Sequence, residues 1–168
     1  MIQTTKDDMP RKIAVLVDII FFLDMQRQER YRSFIVHGPP GKGKTVFAQK
    51  LAALTGGVYI DVLANVATTP ELAGKVDVLD VDFLKEIGLE AASNGASLVV
   101  LDEFDFLLPI WGGDLSIFIE MVRKLSTTET KAVICFMIQT TDSLDTSTLE
   151  NSIGQSRILR LDEIQGLK

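Results

Sequence analysis

Eight consecutive residues, Gly38-Pro39-Pro40-Gly41-Lys42-Gly43-Lys44-Thr45, set glycines, a lysine and a hydroxyl at the spacing G-x-x-x-x-G-K-[ST]. Glycines at 38, 41 and 43 let the backbone curl until successive N–H groups point into one hollow, and a helix starting there adds its positive end. Phosphate oxygens are the natural occupants of such a hollow. Lys44 is placed to neutralise the terminal phosphates, and the Thr45 hydroxyl to ligate magnesium. A second group, Asp102 and Glu103, follows the apolar run Leu98-Val99-Val100-Leu101. Side chains at the C-terminal ends of parallel strands face the ligand crevice, which would set Asp102 beside the cation held by Thr45. Glu103 then has the work of a base that positions and activates a water. Taken alone, an acidic pair after a strand is an ordinary loop start; the phosphate-type loop upstream turns the reading toward chemistry.

Such residues need a scaffold, and the chain alternates apolar runs with helical patterns, as an α/β domain does. Phe34-Ile35-Val36 precedes the glycine-rich loop, and Phe47, Ala48, Leu51 and Ala52 recur at helical spacing after it, up to Gly56-Gly57. Val58 to Val62 reads as a second strand, followed by a poorly patterned connection through Pro70, Gly74 and Lys75. A helix is expected from Asp82 to Ser93, closed by Asn94-Gly95, and then a strand over 98–101 whose continuous apolarity implies cover on both faces. Asp114 is a plausible N-cap for a helix carrying Leu115, Phe118, Ile119, Val122 and Leu125 on one stripe. Ala132 to Ile138 makes a fourth strand and Ile158 to Leu161 a fifth. Upstream, Asp7, Asp8 and Pro10 look like the start of a helix through Ile13, Leu16, Val17 and Ile20, apolar nearly all round. The expected organisation is an N-terminal helix within 1–32 and a single core over 33–168.

Composition narrows the class. The 168 residues carry 17 Lys+Arg against 23 Asp+Glu, a net charge of -6, with 46% hydrophobic and 24% charged residues. That is the balance of one folded domain, not of a disordered chain. One Cys and one His make neither an intramolecular disulfide nor a structural zinc site, so a reducing, cytoplasmic setting is expected. The apolar stretch Ile13 to Leu23 is interrupted by Asp18 and too short to span a bilayer. The acidic balance argues against broad attraction to nucleic acid or anionic lipid, leaving a local nucleic-acid contact open.

On these residues the sequence resembles the AAA+ ATPases. FIVHGPPGKGKTVFAQKLAALTGGVYIDV, Phe34 to Val62, is similar to that family's first strand, P-loop, helix and second strand, and LVVLDEFDFLL, Leu98 to Leu108, to a DExD form of its Walker B strand. The resemblance implies a three-layer αβα P-loop NTPase fold with a mainly parallel five-stranded sheet. It also implies ATP and Mg2+ as ligands, hydrolysis of ATP, and a nucleotide-dependent homo-oligomer serving as a motor or switch subunit beside other proteins. Gln139, with Thr140 as fallback, resembles the family's sensor of γ-phosphate and attacking water; an amide can donate to phosphate and accept from water, or simply cap a turn. Arg157, just before the last strand, lies where the family places an arginine finger in trans, with a solvated arginine as the other reading. The family's helical lid is expected to be missing, and Leu72-Ala73-Gly74-Lys75-Val76 has no aromatic of the kind that threading members present to a pore. A narrower resemblance is to small stand-alone ATPase subunits of bacterial BREX-type phage-defence clusters.

Two other functions fit a P-loop of this length: a small-molecule or nucleotide kinase, and an ATP-dependent scaffold that does not hydrolyse. Residues 126–156, where a kinase lid would sit, contain Lys131 and no Arg, and the acidic pair favours attack by water. His37 reads as a packed or hydrogen-bonded residue, Cys135 as an inert core thiol, and Trp111 as either loop packing or a partner contact.

Overall fold

Apolar runs without alternation demand cover on both faces of a sheet, and the chain supplies it. A computed structural model describes residues 16–127 and 129–167. A two-residue strand β1 (Val17–Asp18) leads into α1 (Ile19–Gln26), β2 (Phe34–Gly38) and α2 (Lys44–Thr55). Then follow β3 (Val58–Asp61), α3 (Val62–Thr68), α4 (Pro70–Ala73), α5 (Val81–Ser93), β4 (Leu98–Asp102) and α6 (Ser116–Lys124). The chain continues through β5 (Val133–Gln139), α7 (Asp142–Thr146), β6 (Ile158–Arg160) and β7 (Ile164–Gln165). The main sheet has five strands in the order β3-β4-β5-β2-β6, every pairing parallel.

The alternation of side chains along each strand feeds two separate cores. On one face Ile35, Leu101, Ile134, Phe136 and Ile138 pack with Val62 and Val66 of α3, Leu84 of α5 and Phe118 and Val122 of α6. On the other, Phe34, Val36, Val100, Cys135 and Met137 pack with Ile19, Phe22 and Leu23 of α1 and Ala48 and Leu51 of α2. The expected three-layer αβα arrangement with a parallel five-stranded sheet is therefore the observed one. Gly88 shows how tightly the layers close: a Cβ there would stand 3.2 Å from Ile134 Cδ1, so a larger residue on α5 would need Ile134 to give way by a few tenths of an ångström.

Three local expectations change. The helix start at Asp7, Asp8 and Pro10 lies outside the described residues. Val17, expected in that helix, instead pairs in parallel with Ile164 of β7. The following α1 starts at Ile19 because Asp18 caps it, accepting from the Phe21 N–H at 3.0 Å. Val62, expected to close the second strand, opens α3, since Asp61 accepts from the Ala64 N–H at 2.9 Å and turns the chain into a helix. Asp114 does accept from the Ser116 N–H at 2.9 Å, but the residue flanking α6 is Leu115.

Candidate active site

The strand order sets β5 between β2 and β4, with Gly38 level with Gln139 and Asp61 level with Asp102 at the strand ends. Gly41 and Gly43 take φ of 74° and 85°, left-handed values open to glycine, and Gly43 delivers the chain into α2. Lys44 and Thr45 are thus the first residues of a helix whose free N–H groups face the end of the sheet. A cleft of about 390 Å³ opens there, walled by Pro40, Gly41 and Gly43 and lined by Lys44, Thr45, Asp102, Glu103, Asp105 and Gln139. A larger groove of about 790 Å³ between α5 and α6 shows no comparable convergence, mixing Asp80, Asp82 and Glu120 with Lys85, Lys124 and Ile117.

Oxygen crowds the floor of the small cleft. The Thr45 hydroxyl lies 2.9 Å from Asp102 Oδ2 and 2.8 Å from Glu103 Oε1. One hydroxyl carries one proton and can donate to only one of these carboxylates at a time. Asp102, 2% exposed, also accepts from the Tyr59 hydroxyl at 2.8 Å. Burial, together with that carboxylate, pushes the Tyr59 phenol above its ordinary range, so it stays a donor. Glu103 is held at φ 60°, a left-handed conformation that costs a non-glycine residue about 1–3 kcal/mol. The bend follows directly on the last residue of β4 and turns the Glu103 carboxylate onto Thr45.

These donors fit magnesium. They are hard oxygens, one hydroxyl and two carboxylates, and the shared hydroxyl leaves one carboxylate without its donor. Among the described residues no group of three or more His, Cys, Asp or Glu side chains could hold a metal alone. One hydroxyl and two carboxylates would suit an ion that keeps waters and is bound through one or two carboxylates plus substrate phosphates.

Gln139 and Thr140 part company at the tip of β5. Gln139 lines the cleft, its backbone N–H donating to Asp105 Oδ1 at 2.9 Å. The Thr140 hydroxyl turns to His37 Nδ1 at 3.0 Å, and its N–H donates to Gly38 O at 3.1 Å. His37 is 2% exposed, and burial lowers its pKa from the ordinary 6.5. Arg157 is not brought to the cleft. Expected at a subunit boundary, it is 2% exposed and faces inward, Nε donating to Ser33 O at 2.8 Å and Nη2 to Val122 O at 3.1 Å. Burial brings its guanidinium down to about 10. Arg160, three residues further and at the end of β6, is the solvent-facing arginine and lies 3.5 Å from Asp145 and 3.4 Å from Asp162. Trp111 is a packing residue in this structure: Nε1 donates to Leu79 O at 3.0 Å, and the ring stacks on Phe118 at 6.0 Å.

Two residues at the site escaped the sequence reading. Tyr59 gave no signal, because its reach to Asp102 depends on β3 lying beside β4. Asp105 had one, an acid two residues after Glu103 in Asp102-Glu103-Phe104-Asp105.

Residues 33–134 match the family model of the AAA domain, dynein-related subfamily. A 78-residue stretch, 46% of this chain, is 38% identical to Protein mac-1 of Caenorhabditis elegans and 33% identical to Protein SAV of Sulfolobus acidocaldarius. A stretch of the same length is 35% identical to the nuclear valosin-containing protein-like of Mus musculus. These stretches span 9%, 9% and 8% of the respective relatives. Among the described residues no helix is long and apolar enough to cross a membrane. The family match runs from the residue before β2 into the first residues of β5, covering the P-loop and the acidic strand and more than half of the 168 residues, and the chain belongs to the AAA domains of the dynein-related subfamily.

Proposed function

We propose that this AAA domain binds ATP with magnesium and hydrolyses it, as a motor or switch subunit of a larger assembly. The observation that carries the reading is the set of oxygens from Thr45, Asp102 and Glu103 directly under the P-loop, with Lys44 at its rim. The loop's N–H groups and the N-terminus of α2 receive the phosphates, and the Lys44 ammonium neutralises the β and γ oxygens. Thr45 and Asp102 would hold magnesium, which when bound draws charge from the β- and γ-phosphate oxygens. Glu103 orients the attacking water and accepts its proton as the water oxygen bonds to γ-phosphorus. The bridging bond to the β-phosphate breaks, leaving ADP and phosphate. The Gln139 side-chain amide is suited to hold that water or the γ-phosphate.

The family match supports association with further copies, since AAA domains commonly oligomerise; its dependence on nucleotide and work alongside other proteins belong to the same proposal. A place in phage defence rests on the resemblance to BREX-type subunits alone. The test of the site is a pair of variants. Glu103→Gln should still bind ATP yet release phosphate about 100-fold more slowly or worse, while Lys44→Ala should lose ATP binding. Retained hydrolysis in Glu103→Gln would remove Glu103 from the reaction. Phosphate release by the purified wild type without an added acceptor separates a hydrolase from a kinase, and mass in solution with and without ATP and magnesium reads the association.

A further inference from the structure

Lys44, Thr45, Asp102, Glu103 and Gln139 all have tasks in the hydrolysis reading, and Asp105 has none. Yet this carboxylate joins three segments that the sequence leaves far apart. It sits in the short turn Asp105–Leu107 after β4, its Oδ1 accepting from the Gln139 backbone N–H at 2.9 Å and its Oδ2 lying 3.9 Å from Lys44 Nζ. The Lys44 side chain is 12% exposed and that of Asp105 30%, so the pair is partly withdrawn from water.

We infer that Asp105 is a positioning residue with two tasks: it fixes the tip of β5 so that Gln139 faces the phosphates, and it holds Lys44 until phosphate displaces it. A half-buried ammonium needs a counter-charge, and among the described residues Asp105 is the acid within ion-pair distance of Lys44. A triphosphate brings more negative charge to the same ammonium and takes it over. ATP therefore binds in competition with the Asp105 carboxylate. The tip of β5 is held on its other side by the Thr140 N–H on Gly38 O, at 3.1 Å. Losing the Asp105 acceptor would leave Gln139 secured from one side only, and a displacement near 1 Å can cost a reaction about 100-fold.

The two tasks separate by substitution. In Asp105→Asn an amide oxygen can still accept from the Gln139 N–H while the charge facing Lys44 is gone; Asp105→Ala loses both. This inference rests on the proposed function, so wild type is measured first: ATP affinity with a chelator present, then kcat and KM for phosphate release with magnesium. Asp105→Asn should bind ATP about fivefold more tightly than wild type and keep kcat within about threefold of it. Asp105→Ala should also bind more tightly but lose about tenfold or more in kcat, a loss that Asn rescues. Unchanged or weaker ATP affinity in Asp105→Asn, or a kcat as low as that of Ala, overturns the assignment. Should Asp105→Ala fail to fold, the ATP affinity of Asp105→Asn decides alone. Wild type that binds no ATP brings down the proposed function and this inference with it, whereas an active wild type with an unmoved Asn variant brings down only the role of Asp105.

Discussion

The two ends of the parallel sheet both bury polar groups, and they treat them in opposite ways. At the N-terminal ends of the strands, the buried side-chain donors are spent on main-chain carbonyls. Arg157 serves Ser33 O and Val122 O, Arg32 serves Arg27 O at 3.1 Å and Thr127 O at 3.2 Å, and the Thr127 hydroxyl serves Ala132 O at 2.6 Å. Among the described residues the Ser33 hydroxyl is the one buried side-chain group there with no partner. At the C-terminal ends the carboxylates can accept more than they are given: Asp102 takes the Tyr59 hydroxyl, Asp102 and Glu103 share the single Thr45 hydroxyl, and Glu103 is bent to left-handed φ to reach it. A closed network of this kind specifies a frame. One with acceptor capacity to spare, on the floor of a cleft and under a helix N-terminus, is prepared for cations and phosphate from outside.

Substitutions at the two ends should therefore fail differently. The largest effect is expected at the closed end. Arg157→Ala strands two buried carbonyls and opens a cavity, and should cost about 3–5 kcal/mol in denaturant unfolding. A loss under about 1 kcal/mol would mean that the guanidinium is not held where the structure has it. At the open end, Thr45→Ala should lower ATP hydrolysis by about 100-fold while moving stability by no more than about 1 kcal/mol, because both carboxylates border the cleft and Tyr59 still donates to Asp102. If Thr45→Ala unfolds the protein as readily as Arg157→Ala does, the contrast between the ends is wrong.

The same contrast explains what could be read in the sequence. Gly38 to Thr45 and Asp102-Glu103 are contiguous, so their chemistry was visible before any tertiary structure, and the unbroken apolarity of Leu98 to Leu101 announced a covered parallel strand. Tyr59 and Asp105 act across strands, and their partners follow only from the order β3-β4-β5-β2. The burial of Arg157 was hidden for another reason: arginine is normally exposed, and Ser156-Arg157-Ile158 reads alike for an inward and an outward guanidinium. The helix α3 was missed because apolar residues continue from Val58 through Leu63, and only the Asp61 cap divides strand from helix.

His37 offers the finest test, since it stands one residue before the P-loop and yet belongs to the frame. Its Nδ1 pairs with the Thr140 hydroxyl, binding β2 to the tip of β5, and Asp145, Arg160 and Asp162 are the charged groups that act on it. Burial is the largest influence and lowers its pKa, with Arg160 acting in the same direction and Asp145 and Asp162 opposing. The unfolded chain then takes up a proton near the ordinary 6.5 while the folded chain still resists it. The contribution of neutral His37 is present above that value and is lost as pH falls through it toward the lower folded pKa. Wild type should lose melting temperature between about pH 7.5 and pH 5.5 more steeply than His37→Gln, which keeps a polar group and cannot titrate. Parallel slopes for the two proteins would show that His37 does not resist protonation in the fold, and that the ordered frame stops short of the P-loop.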